Sequence, residues 1–403
     1  MKLSAILKSA KKIANNQTDF LLRAYLKKLE IKKFRDPRRV GILSAITLTE
    51  EQKSAIDTLY LENYGKKIPH TWHKHFTAYT GKFDPYYFPE LLFIPAFEKF
   101  MNDRRYTAAL SDKSLLTLLA AADSVQVKMP KTYVSSTRGL LQDGKGAIIS
   151  QEKATDILNS FGDSFIKPSV DSSSGQNCMK LKVKNGIDES TGWTIDKVFA
   201  AVGSNFVAQE CITCHPSIRA IYPNSVNTFR IITYIWKDTI EHMPIIMRIG
   251  RNGSYVDNAH AGGIFIAVSD EGVLHKKAFT EFKDEFEQHP DTGIVFAGHK
   301  IENMAGVIDA AKRMHRAISQ VGCINWDFTI DEEGTPILIE ANINGGSVWL
   351  IEMAHGCGAF GKHTPEILQW IRFCESIPQS ERHKYSYGYM NSDHTHKGKK
   401  MDL

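Results

Sequence analysis

Between Cys323 and Gly346 the chain reads as a β-hairpin whose polar residues are placed as a hairpin used only for packing would not need them. An apolar run ends at Ile330, Asp331–Gly334 supplies turn residues, and a second apolar run leads to Ile339. Asp327 stands on the first strand, and Glu340 ends the second, with Asn342 two residues on. Residues two apart on a strand face the same way. Glu340 and Asn342 can therefore converge on one cation while Asp327 reaches it from the neighbouring strand. Hard oxygen donors of this kind suit Mg²⁺ held against phosphates, which makes Asp327, Glu340 and Asn342 candidate metal ligands. The plainer reading is a surface hairpin carrying solvated acids, and the rest of the chain decides between the two.

With 403 residues the chain is long enough for two or three domains and a large core. Its 42% hydrophobic and 24% charged residues are ordinary for a globular protein. No apolar run reaches bilayer-spanning length, and charge interrupts the first residues, Met1-Lys-Leu-Ser-Ala-Ile-Leu-Lys, too early for a secretory signal. The expected location is therefore cytoplasmic, with the six cysteines as reduced thiols. Cys211-Ile-Thr-Cys214-His215 matches the pattern of c-type haem attachment. That chemistry accompanies export, and no second cysteine pair completes a zinc site, so neither group is expected.

The net charge of +5 is uneven: residues 1–40 hold twelve Lys and Arg against three acids. Leu3, Ile6, Leu7, Ala10 and Ala14 recur at helical spacing among the lysines, which describes a basic amphipathic helix. One reading is peripheral contact of residues 1–30 with anionic lipid at the inner face of the membrane. The other, which we favour, packs the helix on its own domain with a solvated basic face. No nucleic-acid motif accompanies it.

The chain is expected to be mainly helical to about residue 110, with Thr47-Leu-Thr-Glu-Glu opening one helix. The segment Trp72–Phe88 is crowded with aromatic and histidine side chains, which serve core packing more commonly than stacking on a sugar. Helices are expected at Asp112–Ala122, Gln151–Phe161, Met304–Val321 and Thr364–Glu375. Strands are expected at 129–134, 147–149, 165–168, 179–183, 206–212, 228–236, 244–249 and 263–268. The polar segment 379–403 is expected to be disordered. Strands interleaved with helices point to an α+β or α/β enzyme.

Lys167 ends an apolar strand and precedes a small-residue loop containing Ser173, Ser174 and Gly175. A cation beside a loop rich in backbone N–H groups suits a phosphate, although the Walker A spacing is absent. Arg230 and Arg248 lie within apolar strands, and Asn258 follows in a loop. A guanidinium is costly to bury alone. A phosphate would partner it through bidentate bonds, and so would a strand carboxylate.

Taken together, these residues resemble the ATP-grasp superfamily. Ser111-Asp-Lys113 with Met129-Pro-Lys-Thr resembles the entry to its nucleotide site, and Phe165-Ile-Lys167 with the following loop resembles its second lysine and phosphate-covering loop. Gln209-Glu210-Cys211-Ile212 resembles its adenine hinge. Arg248, Asn258, Asp327 and Glu340-Ala-Asn342 resemble its catalytic Arg, Asn and metal acids. More narrowly, Gly65-Lys-Lys-Ile, Gly81-Lys-Phe-Asp, Ser225-Val-Asn-Thr-Phe-Arg and Ser347-Val-Trp-Leu resemble the sugar-transfer-associated branch. Two departures stand out: the usual ribose acid is absent, with His215 nearby, and Gly345-Gly346 replaces a common Pro-Gly pair.

The resemblance implies an ATP-grasp fold of two α+β subdomains clasping ATP behind a helical N-terminal domain. The implied bounds are 1–110 for the helical domain, 111–208 for the first subdomain, 209–378 for the second and 379–403 for the tail. It implies an ATP-dependent carboxylate–amine ligase using Mg²⁺, with Mn²⁺ as an alternative ion. Lys113, Lys167, Ser173, Ser174, Gly175, Gln209, Glu210, Ile212 and His215 would hold the nucleotide, with Arg248, Arg230 and Asn258 at the reacting phosphate. The branch suggests joining an amino acid or small amine to a uronic acid of a capsule or O-antigen polysaccharide. The rivals are a phosphotransferase of the same fold and a non-catalytic nucleotide-binding subunit.

Overall fold

The computed structural model describes residues 2–170, 177–382 and 384–390, with side chains from residue 15 onward except Arg104. Ser173, Ser174, Gly175 and the expected apolar face from Leu3 to Ala14 lie outside the described residues or side chains.

Two sheets organise the chain. The first contains β1 (Thr132–Thr137), β2 (Leu140–Asp143), β3 (Asp163–Pro168), β4 (Met179–Lys184), β5 (Ile187–Asp188) and β6 (Phe206–Gln209), in the order β2-β1-β6-β3-β4-β5. Helices Gln151–Phe161 and Ile195–Val202 cover it, burying Ala154, Leu158 and Val198 against Val134, Ile166 and Leu181. The second contains β7 (Thr228–Trp236), β8 (Thr239–His242), β9 (Ile245–Ile249), β10 (Ile264–Val268), β11 (Leu274–Phe279), β12 (Glu285–Phe286), β13 (Cys323–Ile330) and β14 (Pro336–Asn342). Its order is β12-β11-β10-β9-β7-β13-β14, with β8 paired to β7.

Strand periodicity divides the second sheet between two cores. Phe229, Ile231, Met247, Ile266 and Trp326 face the helix Met304–Ala317. Ile232, Tyr234, Ile246, Phe265 and Cys323 face the N-terminal helices and the helices Trp349–His355 and Thr364–Ser376. With both faces covered, β13 is buried at every position, so a charged residue there needs a partner.

The N-terminal helices form where capping signals stand. Thr49 caps Glu50–Asn63 in a reciprocal box with Gln52. The long helix Lys2–Lys33 packs on its own protein over its described part: Arg23 and Lys27 reach Glu375, and Asp19 receives Arg23, Lys99 and Arg382. Among the described residues no helix is long and apolar enough to cross a membrane.

For the aromatic segment the commoner of the two readings holds, and for the tail the expectation changes. Trp72, Phe76, Tyr79, Tyr87 and Phe88 are fully or nearly fully buried in the core against residues of the helix Trp349–His355. They are packing residues and offer no face to a sugar. The tail is packed at its start: Gln379–Arg382 is helical, Arg382 bonds Asp19, and the Lys237 N–H donates to the Tyr387 carbonyl. Strand β2, strand β11 and the helix Ile195–Val202 were not foreseen.

Candidate active site

The hairpin places its polar residues through a register detail. Asn325 opposes Asn342 and Asp327 opposes Glu340, but Phe328 opposes Leu338. Ile339 is therefore the extra residue of a β-bulge, and without it Ile339 rather than Glu340 would face Asp327. Arg230 on β7 opposes Asp327, and Thr228 opposes Arg248 on β9. Directly opposed residues share a face. Glu340, Asn342, Asp327, Asn325, Arg230, Thr228 and Arg248 thus form one polar row across four strands, continuous with the apolar positions beneath the N-terminal helices.

Asp327 is the hub of that row and is 1% exposed. It accepts from Arg230 Nε and Nη2, each at 2.9 Å, and from Asn342 Nδ2 at 3.3 Å, and Arg248 Nη2 stands 3.0 Å away. Burial alone would raise its pKa, but the two arginines outweigh it and hold the carboxyl below its usual range. Asp257 has the opposite balance. Burial raises its pKa against the pull of Arg248, 3.6 Å distant, and of the Thr228 hydroxyl and N–H. Asp257 was missed in the sequence; its signal was an acid beside Asn258 in the loop after an arginine-bearing strand.

Two lysines converge on the bulge from the first sheet's side. Lys113 begins the helix Lys113–Ala120, capped by Asp112, and its Nζ is 3.1 Å from Glu340 Oε1. Lys167, near the end of β3, donates to the Ile339 carbonyl at 3.3 Å. Burial lowers the Lys167 pKa.

These residues line a cleft of about 1130 Å³ between the sheets. Gln209, Glu210, Ile212 and Asn258 line it as well. Glu210 Oε1 accepts from the Lys131 N–H at 2.8 Å, tying the hinge acid to the chain entering β1. His215 is not among the lining residues. Its Nδ1 caps the helix Pro216–Arg219 at the Ser217 N–H. Cys211 and Cys214 are free thiols.

Among the described residues no three His, Cys, Asp or Glu side chains cluster as a metal group. The donor set nevertheless fits one hard cation shared with phosphates. Glu340 and Asn342 line the cleft, and Asp327 stands behind them shared with two guanidinium groups. The cations Lys113, Lys167, Arg230 and Arg248 outnumber Asp257, Asp327 and Glu340, which suits a polyanion.

The cleft wall at residues 344–347 hangs from two buried acids. Glu98 accepts from the Gly345 and Gly346 N–H groups, and Glu90 accepts from Ser347 Oγ and the Val348 and Trp349 N–H groups. Gly345 has φ +72°, and a Cβ on Gly346 would lie 2.1 Å from Asn325 Nδ2, so the Gly-Gly pair is a steric need of this wall. Burial lifts Glu98 to about 7 against those N–H bonds. The folded state then holds its proton more tightly than the unfolded chain. Stability should fall as pH rises from about 4.5 to about 7 and level above it, by about 3 kcal/mol from this group. Urea titrations at pH 5 and pH 8 check this, with Glu98→Gln reducing the difference by that share while the buried Glu90, raised to about 8, keeps its own.

A model described as sugar-transfer associated ATP-grasp matches residues 93–366 of the chain. No curated protein matches it in sequence. Among solved structures it is similar to the purK N5-carboxyaminoimidazole ribonucleotide synthetase, at 11% identity and TM-score 0.36, covering 59% of this chain and 46% of that one. It is similar to an L-amino acid ligase from Bacillus licheniformis, at 12% identity and TM-score 0.37, covering 65% of this chain and 48% of that one. A third is D-alanyl-alanine synthetase A from Vibrio cholerae, at 12% identity and TM-score 0.38, covering 66% of this chain and 65% of that one. The chain thus spans about half the length of the first two.

Proposed function

The chain belongs to the sugar-transfer associated ATP-grasp family and has its fold, and from that premise we propose that it is an ATP-dependent carboxylate–amine ligase. The observation that carries the reading is the polar row of the second sheet facing Lys113 and Lys167 across one cleft.

In this reading ATP enters between the sheets, with its base against Gln209–Ile212 and its phosphates on Lys113 and Lys167. Glu340 and Asn342, backed by Asp327, would hold Mg²⁺, which neutralises phosphate charge when bound. The acceptor carboxylate oxygen attacks the γ-phosphorus, and the bond to the β-phosphate oxygen breaks to release ADP. Arg248 and Arg230, fixed by Asp327, face the charge that develops on the transferred group. An amine then attacks the acyl carbon, loses a proton and expels inorganic phosphate, leaving an amide. Asn258, in the same cleft, would position the acceptor. The family's association with sugar transfer favours a uronic acid of a surface polysaccharide or its precursor as the carboxylate, and an amino acid or small amine as its partner.

Purified protein with ATP, Mg²⁺, uronic acids and amines tests this. ADP release is expected to require both an acid and an amine, with an amide found by mass spectrometry. Release with an acid or alcohol alone, leaving a stable phosphorylated product, would convert the reading to a phosphotransferase.

A further inference from the structure

Arg39 belongs to the helix Pro37–Ser44, ahead of the matched residues 93–366, yet it lines the same cleft. It is 7% exposed. One side of its guanidinium is taken: Nη2 pairs with Glu281 Oε1, and Glu281 Oε2 accepts from or pairs with His260 Nδ1 at 2.6 Å. Trp349 supports the ring-like face of the guanidinium at 4.5 Å from its centroid. Nη1 is buried and has no hydrogen-bond partner. Buried donors are normally satisfied, and an arginine that lines the cleft, held by an acid and an aromatic face and with Nη1 unbonded behind that wall, can turn this nitrogen to an oxyanion.

Its place in the sheet separates it from the reacting end. Arg248 opposes Phe265, which opposes Phe279, and Glu281 follows two residues later. Two strand spacings put Glu281 and its Arg39 on the order of 10 Å from Arg248. An anion held at Arg39 is therefore a different group from the one that reacts beside Arg248.

We propose that Arg39 binds a second anionic group of the acceptor, a phosphate or carboxylate, so that the substrate is an acidic sugar carrying two negative groups. The anion site stands on the geometry alone, and only its assignment to the acceptor rests on the ligase reading.

Calorimetric titration of the ADP-loaded full chain tests it with glucuronic acid 1-phosphate, glucaric acid and glucuronic acid. One of the two dianions is expected to bind about tenfold or more tightly than glucuronic acid, and which one does so identifies the second group. Arg39→Met should reduce that dianion to the level of glucuronic acid while ADP affinity holds, and because it leaves the buried Glu281 without its guanidinium partner the melting temperature is expected to fall. Should Arg39→Met fail to fold, Arg39→Lys, which keeps a cation beside Glu281 but has no Nη1, should lose the preference for that dianion, and an unchanged preference would overturn the proposal. Equal binding of all three probes, no binding, or an Arg39→Met loss shared with ADP would overturn the proposal. Arg39-dependent binding without any acid-dependent ADP release would keep the anion site and remove the ligase reading.

Discussion

Asp327→Asn is expected to abolish turnover and destabilise the protein, whereas Glu340→Gln is expected to abolish turnover with stability nearly unchanged. Asp327 is 1% exposed and compensates two guanidinium groups, one of them bidentate. Removing one partner of a buried ion cluster leaves uncompensated charge, a loss of about 3–5 kcal/mol, and the retained amide oxygen keeps the substitution near the lower figure. Glu340 is different. Its side chain is 29% exposed and pairs with Lys113 at 3.1 Å, an arrangement worth about 1 kcal/mol at most. Its importance lies in offering an oxygen to the cleft, so turnover should drop on the order of 10²-fold or more. Urea unfolding and ADP release measured on both variants separate the roles. An Asp327→Asn protein as stable as the wild type would contradict the hub, and an active Glu340→Gln protein would remove the metal assignment.

How far this site could be read from the sequence follows from which constraints are local. The period-two pattern of β7, β9 and β13 put Arg230, Arg248 and Asp327 on one face, because each strand alternates between two buried cores. The bulge at Ile339 left no mark: Pro336–Asn342 contains no glycine, and its consequence appears only once β13 is paired alongside. The arginines had been given two possible partners, a phosphate or a strand carboxylate. Pairing across β7 and β13 supplies the carboxylate without removing the arginines from the cleft. The aromatic segment at 72–88 could not be assigned from composition, since a ring buried against Trp349 and a ring stacked on a sugar use the same residue types. Arg39 was invisible as a site residue because its partner Glu281 lies 242 residues away. The capping role of His215 was open to reading, since the Pro216 that follows it marks a helix start.

Lys167→Met is expected to move nucleotide binding and stability in opposite directions. Lys167 is 8% exposed and donates to the Ile339 carbonyl at 3.3 Å. Burial depresses its pKa, with Glu340 pulling the other way and Lys113 adding to the depression. A base with a depressed folded pKa is protonated more readily in the unfolded chain. The nucleotide-free protein should therefore gain stability as pH rises from the folded value toward 10.5. Methionine has a similar length and carries no charge, so the variant should lose this pH dependence and be as stable as the wild type or about 1 kcal/mol more stable at pH 7. ATP reverses the comparison. Nucleotide at 100 times the dissociation constant stabilises a folded protein by about 2.7 kcal/mol, and a tenfold weaker affinity removes about 1.4 kcal/mol of that. Melting curves with and without Mg²⁺-ATP should accordingly cross: the variant melts at or above the wild type alone and clearly below it with nucleotide. If ATP raises both proteins equally, Lys167 does not meet the phosphates, and the convergence of the two lysines on the bulge serves packing alone.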